Sequence, residues 1–158
     1  MELNGSHELN QPPEVVWTAL FDTATLAGAI PGCEHLEQTS DNAFVATVKL
    51  KIGPVSAKFK GDVELSEMVP PQSCVLSGKG SGGIAGFAKG SARVLLEPRG
   101  GGTVLTYTAD AALGGKLAAL GSRLIQSTAN KLANEFFTNF SQALNGEGEK
   151  KAASEKAD

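Results

Sequence analysis

Leu120, Leu124, Thr128, Leu132, Phe136, Phe140 and Leu144 recur every four residues, and Ile125 and Phe137 widen the stripe they form. Four-residue spacing keeps side chains on one face of an α-helix. The run from Gly114-Gly115-Lys116-Leu117 through Leu144 is therefore predicted to be one long amphipathic helix. At roughly 1.5 Å per residue it would reach about 40 Å, enough to cross a small domain. A helix this long cannot bury such a stripe by itself, so the rest of the chain must supply the surface that covers it.

That surface reads as a sheet. Leu3, Gly5, His7 and Leu9 alternate with polar residues as a first strand. Asn10-Gln11-Pro12-Pro13 ends it and opens a helix carrying Val16, Trp17, Leu20 and Phe21, which finishes near Asp22-Thr23. A second short helix spans Thr25 to Ile30 and is closed by Pro31-Gly32. Phe44 to Ile52 and Val55 to Leu65 then alternate around Gly53-Pro54 as a hairpin with one wet and one dry face. Pro70-Pro71 leads to a strand over Cys74–Lys79, and Gly80-Ser81-Gly82-Gly83-Ile84-Ala85-Gly86 reads as a flexible loop. Strands follow at Ala88–Glu97 and Thr103–Leu113, joined by Arg99-Gly100-Gly101-Gly102. The fold class is α+β, with a curved antiparallel sheet of six to seven strands around the C-terminal helix. Residues 1–144 make the domain, and residues 145–158 are expected to be a disordered charged tail.

Bulk properties narrow the function. A chain of 158 residues suits one domain, and a net charge of −3 argues against general nucleic-acid binding. Cys33 and Cys74 give no metal-ligand spacing and read as reduced thiols of a cytoplasmic protein. Met1–Ser6 has no basic region followed by an apolar run, and no window approaches a membrane span.

In an antiparallel meander, the inward positions at one end of the sheet are Gly78, Gly80, Ala88, Gly90, Ala92, Ala109 and Ala111, all small. The opposite end offers Cys74, Leu76, Val94, Leu96, Leu105 and Tyr107. Small residues permit close approach of another backbone. They also suit a cavity where a curved sheet leaves its helix, and that is the expectation here. The predicted lining is Leu50, Ile52, Val55, Ala57, Gly78, Gly90 and Ala109 from the sheet, with Leu117, Leu120 and Leu124 from the helix. Ile84 and Phe87, flanking the glycine-rich loop, are the expected apolar gate. Such a cavity would take an apolar, neutral molecule.

Catalytic patterns are absent: no nucleophile elbow, phosphate loop or zinc motif occurs, and no metal site is expected. His7 and Tyr107 are the only polar groups that could face the cavity, His7 being read foremost as a core or rim histidine. Cys33, Glu34 and His35 read as loop residues. Lys49, Lys51, Lys58 and Lys60 fall on the outer face near Gly53-Pro54. There they either protect the sheet edge or attract lipid head groups or an acidic partner.

Ile30-Pro31-Gly32-Cys33-Glu34, Val48-Lys49-Leu50-Lys51-Ile52-Gly53-Pro54-Val55, Phe59-Lys60-Gly61, Gly86-Phe87-Ala88-Lys89-Gly90 and Gly114-Gly115-Lys116-Leu117-Ala118 with Leu120-Gly121-Ser122-Arg123 form a joint pattern. It resembles the CoxG family, named for the CoxG component of aerobic carbon monoxide dehydrogenase and placed in the START-like (SRPBCC, Bet v 1-like) superfamily. The resemblance covers about residues 1–144. It implies a helix-grip fold with a hydrophobic cavity and an accessory role beside a molybdenum hydroxylase. It further implies membrane recruitment of that enzyme and binding of a respiratory quinone. The expectation is a non-enzymatic protein, cytoplasmic or peripheral at the inner membrane face. Its cavity would hold a lipid or a quinone such as menaquinone or ubiquinone, with no resident cofactor. A cyclase- or dehydratase-type enzyme using the same cavity, or a ligand-free assembly factor, are the alternatives.

Overall fold

The computed structural model describes the backbone of residues 1–157 and the side chains of residues 1–145. Apart from Asn145, the tail expected over residues 145–158 lies outside the residues whose side chains are described. In chain order the elements are β1 (Glu2–Leu9), α1 (Pro13–Leu20), α2 (Thr23–Ala29), β2 (Cys33–Ser40), β3 (Ala43–Ile52), β4 (Val55–Val69) and β5 (Ser73–Ser81). A 3-10 turn (Gly83–Ala85) precedes β6 (Phe87–Arg99), β7 (Gly102–Gly114), α3 (Lys116–Ala119) and α4 (Ser122–Ala157). The seven strands form one antiparallel sheet in the order β1-β7-β6-β5-β4-β3-β2. The expected α+β arrangement, a curved sheet gripping a C-terminal helix, is the one observed.

Local chemistry sets the element ends. Pro13 opens α1, where a missing N–H costs nothing. Asp22 caps α2: its carboxylate accepts from the Thr25 backbone N–H at 3.0 Å and from Thr25 Oγ1 at 2.6 Å. Those two hydrogen bonds hold the Asp22 carboxyl below the usual carboxylate range.

Three local expectations are corrected. The C-terminal helix is not continuous from Lys116, because Gly121 takes φ +89 and divides α3 from α4. The four-residue periodicity survives the break, which is why the stripe alone does not show it. Cys33, Glu34 and His35 belong to the edge strand β2 rather than to a loop. Its other residues are mostly polar and exposed, so no alternation marks it, and charges on an edge strand discourage further pairing. The Gly80–Gly86 loop is short and tied down: Gly80 and Ser81 complete β5, and the Gly82 N–H donates to the Gly86 carbonyl at 2.9 Å.

The core lies at one end of the sheet. Leu9, Val16, Ala19, Ala29, Cys74, Val94, Leu96 and Leu105 are buried there with Phe140 and Leu144 of α4. Asn139 Nδ2 donates to the Ala29 carbonyl at 3.2 Å, tying α4 to the end of α2. His7 on β1 stacks on Phe137 of α4 with ring centroids 3.9 Å apart, and Tyr107 lies 6.0 Å from the same Phe137 ring. Burial of His7 lowers its pKa from the ordinary 6.5, so the stack contains a neutral imidazole near pH 7.

Glycines let the sheet bend. Gly61 pairs with Gly80, and Gly78 with Gly90, forming a diagonal band across β4, β5 and β6. A Cβ at Gly90 would stand 2.6 Å from the Asp110 carbonyl oxygen, and one at Gly61 would stand 3.0 Å from that of Lys79. The close approach that these small residues permit is thus between neighbouring strands on the concave face.

Substitutions within the band separate these glycines. Gly90→Ala should destabilise the fold by about 1–3 kcal/mol. Gly80→Ala, whose Cβ would meet nothing closer than 3.6 Å, should fall within about 0.5 kcal/mol of the parent or stabilise it; urea titrations check both. For His7, the folded state disfavours the proton, so the unfolded chain binds it first as pH falls. Stability attributable to His7 is complete above the ordinary value of 6.5 and declines as pH drops from there toward the lower native value. His7→Phe should flatten that part of the stability–pH curve.

Candidate ligand cavity

Between the concave sheet and α4 lies a cavity of about 390 Å³, a volume within the range of small-molecule sites. Its floor is Phe44 and Ala46 of β3, Val63 and Leu65 of β4, Cys74 and Leu76 of β5, Ala92 and Val94 of β6, and Leu105 and Tyr107 of β7. Ala133, Phe136 and Phe137 of α4 form one wall. Leu20, Phe21, Leu26 and Ile30 from α1 and α2, with Leu36 of β2, close the remainder. No charged side chain lines it. The polar side-chain groups are the Tyr107 hydroxyl and the Cys74 thiol, whose pKa burial raises, so it stays protonated and neutral.

The cavity occupies the part of the sheet that carries large side chains, which corrects the expected position. None of the ten predicted lining residues belongs to its wall. Leu50, Ile52, Val55 and Ala57 continue the same concave face toward the Gly53-Pro54 turn, where Leu50 pairs with Ala57 and Ile52 with Val55. Gly78, Gly90 and Ala109 sit in the bent band of the sheet. Leu117 is buried in α3, Leu120 lies at the break before α4, and Leu124 packs over Gly53. The size of sheet side chains misleads because it does not report where the covering layer stands. At the large-residue end α2 packs against α4 and α1 against α2, β6 and β7, and Leu20, Phe21, Leu26 and Ile30 close the cavity there. At the small-residue end, α3 closes in.

The two gate residues also stand elsewhere. Ile84 is 86% exposed and Phe87 54% exposed, and neither lines the cavity. Both crown the end of the sheet beyond the bent band. Of the two polar candidates, Tyr107 lines the cavity, its ring lying across Gly5 of β1. His7 does not; it supports Phe137 from the outer side. Phe137 thereby separates the cavity from a surface groove between β1 and α4. The roof residues Leu20, Phe21, Leu26 and Ile30 are not among the residues the sequence points to. A signal for them exists: two short helices whose apolar residues exceed what a thin cap requires.

Lys49, Lys51, Lys58 and Lys60 are exposed on the outer face, as expected. Lys49 stands directly opposite Lys58 in the β3–β4 pairing, and Lys79 directly opposite Lys89 in β5–β6. Like charges directly across a strand pair are destabilising. Glu34 relieves the first pair with an ion pair to Lys58 at 3.3 Å. Among the described residues no ion pair relieves Lys79 or Lys89. Among those residues, too, no group of three or more histidine, cysteine and acidic side chains could hold a metal, and no helix is long and apolar enough to cross a membrane.

Comparison with known proteins accords with this architecture. The chain is similar to a conserved protein of Geobacillus kaustophilus, whose crystal structure superposes with a TM-score of 0.87 at 33% identity, covering 92% of this chain and 96% of that one. A Thermus thermophilus protein (TM-score 0.70, 15% identity, 92% and 98% covered) and a Chromobacterium violaceum protein (TM-score 0.69, 15% identity, 90% and 96% covered) share the fold. No curated protein matches the sequence. The family model of CoxG, a component of carbon monoxide dehydrogenase, matches residues 5–145. That match spans nearly the whole domain built around the cavity, and the chain belongs to the CoxG family.

Proposed function

We propose that this protein is a non-catalytic carrier that holds one apolar molecule, an isoprenoid quinone such as menaquinone or ubiquinone or a similar lipid, between its sheet and α4. In this reading it serves a molybdenum hydroxylase such as carbon monoxide dehydrogenase, working from the cytoplasmic side and exchanging its ligand with the membrane. The observation that carries the reading is the cavity of about 390 Å³ with no charged group in its lining. Burying apolar ligand surface there is favourable at about 25 cal/mol per Å², and no side chain demands a charged partner. CoxG membership links the chain to carbon monoxide dehydrogenase; the ligand and its transfer are the proposal's own content.

A cyclase- or dehydratase-type activity would need a polar group aimed at the bound molecule. His7 stands behind Phe137 and does not line the cavity, so the polar side chains of the lining are Tyr107 and Cys74, with no histidine or carboxylate beside them. A ligand-free assembly factor would have no use for a space that costs packing energy.

Native mass spectrometry of the protein after incubation with menaquinone in mild detergent tests the reading, and a retained one-to-one adduct is expected. Ala92→Phe and Ala133→Phe, which project bulk into the cavity, should each weaken uptake by about tenfold or more, the equivalent of ~1.4 kcal/mol. Met68→Ala, at an exposed position outside the lining, should leave uptake unchanged. A parent protein that never retains a quinone or lipid would sink the proposal.

A further inference from the structure

At the end of the sheet farthest from the core, Ile84 and Phe87 present the most exposed large apolar side chains among the described residues. The backbone that carries them is hydrogen-bonded to itself. The Ala85 N–H donates to the Gly82 carbonyl at 3.2 Å and the Gly86 N–H to that of Gly83 at 3.1 Å. Gly86, at φ +115, lies so close to the Gly114 carbonyl that no side chain fits between them. The loop backbone is thus clamped onto the β7–α3 turn, and Ile84 is displayed to solvent with no cover among the described residues. Lysines surround it. Phe87 pairs with Gly114 and Ser81, Lys60 pairs with that same Ser81, and Lys79 and Lys89 face each other one step along the outer face. Lys116 opens α3 beside the clamp.

The opposed Lys79 and Lys89 cost stability through mutual repulsion. Asp62 stands across from Lys79 in the pairing without forming an ion pair to it. In a chain of net charge −3, lysines that form no ion pair among the described residues, set around two bare apolar side chains, fit an external anionic surface that also accepts hydrocarbon.

We propose that this tip docks on an anionic lipid bilayer, with Ile84 and Phe87 entering the head-group boundary and Lys60, Lys79, Lys89 and Lys116 contacting lipid phosphates. The display of Ile84 favours a bilayer over an acidic protein, because aliphatic insertion needs a fluid apolar phase and no preformed pocket. The proposal rests on the carrier reading only for its purpose; docking is measured without any cavity ligand.

Sedimentation of the full chain with vesicles provides the test. Binding is expected to vesicles of equal parts phosphatidylglycerol and phosphatidylcholine, to be far weaker to pure phosphatidylcholine, and to fall as salt rises. Each lysine near such a surface is worth ~1 kcal/mol, roughly fivefold in partitioning, so Lys79→Gln with Lys89→Gln should lose about thirtyfold. Ile84→Asp should lose most of the binding while retaining the parent's circular dichroism and its uptake of detergent-solubilised menaquinone. Ile84→Trp should show a blue-shifted emission on anionic vesicles. No binding to either vesicle, or binding indifferent to Ile84→Asp, overturns the proposal. So does a parent that ignores vesicles while Lys79→Gln with Lys89→Gln loosens it from carbon monoxide dehydrogenase, which would assign the tip to a protein. Normal uptake of the solubilised quinone alongside failed vesicle binding leaves the carrier reading standing.

Discussion

The fold depends on how α4 is held. At one end Phe140 and Leu144 are buried among residues of α1, α2 and the sheet, and Asn139 bonds to the last turn of α2. At the other, Leu117 is buried beside the clamp of Gly86 on Gly114–Gly115, and Leu124 rests on Gly53. Between these two attachments the helix spans a sheet that curves away from it. Packed interiors tolerate little empty volume, so a void persists only where covalently connected layers cannot collapse onto each other. Two fixed ends and a bent sheet create that situation. The cavity is a consequence of the anchoring.

Sheet curvature is the second half of the same device. Strand glycines are costly through entropy, yet Gly61 and Gly90 sit where a Cβ would press into the backbone of the next strand. Aromatic rings cover other glycines: Tyr107 lies over its partner Gly5, and Phe87 over its partner Gly114. The rings return some of the packing that the missing side chains forgo.

This division explains what can be read from residues alone. The stripe from Leu124 to Leu144, the period-two runs on both sides of Gly53-Pro54, and the turn at Gly100–Gly102 each follow from local geometry, and each is found where the periodicity puts it, while Leu120 falls before the break at Gly121. The cavity's position is not local. Gly78, Gly90 and Ala109 do lie on the concave face, but the smallness of Gly78 and Gly90 serves strand-to-strand contact. The empty space is bounded by residues of and beside α1 and α2 as well as by α4, which no single strand records. Likewise Ile84 and Phe87 are legible as an apolar pair beside a glycine-rich turn. Their outward display depends on the backbone clamp between Gly86 and Gly114, two residues nearly thirty apart in sequence.

The molecule is also polarised. Toward the tip the outer face carries lysines on β3, β4, β5 and β6, with Asp62 in the same rung as Lys79 and Lys89; Glu64 and Asp110 lie one rung farther toward the middle of the sheet. A charge distribution of this kind gives a dipole, and a dipole in the field of a charged surface acquires a preferred orientation before contact. With the tip turned toward an anionic surface, the acidic middle of the sheet and the core end, with Phe140 and Leu144, point away. The concave face then runs from Leu50 and Ile52 near that surface back to the cavity at Leu76 and Val94, apolar throughout. A molecule leaving a bilayer along this face would meet no charged side chain on the inward positions of β3 and β4.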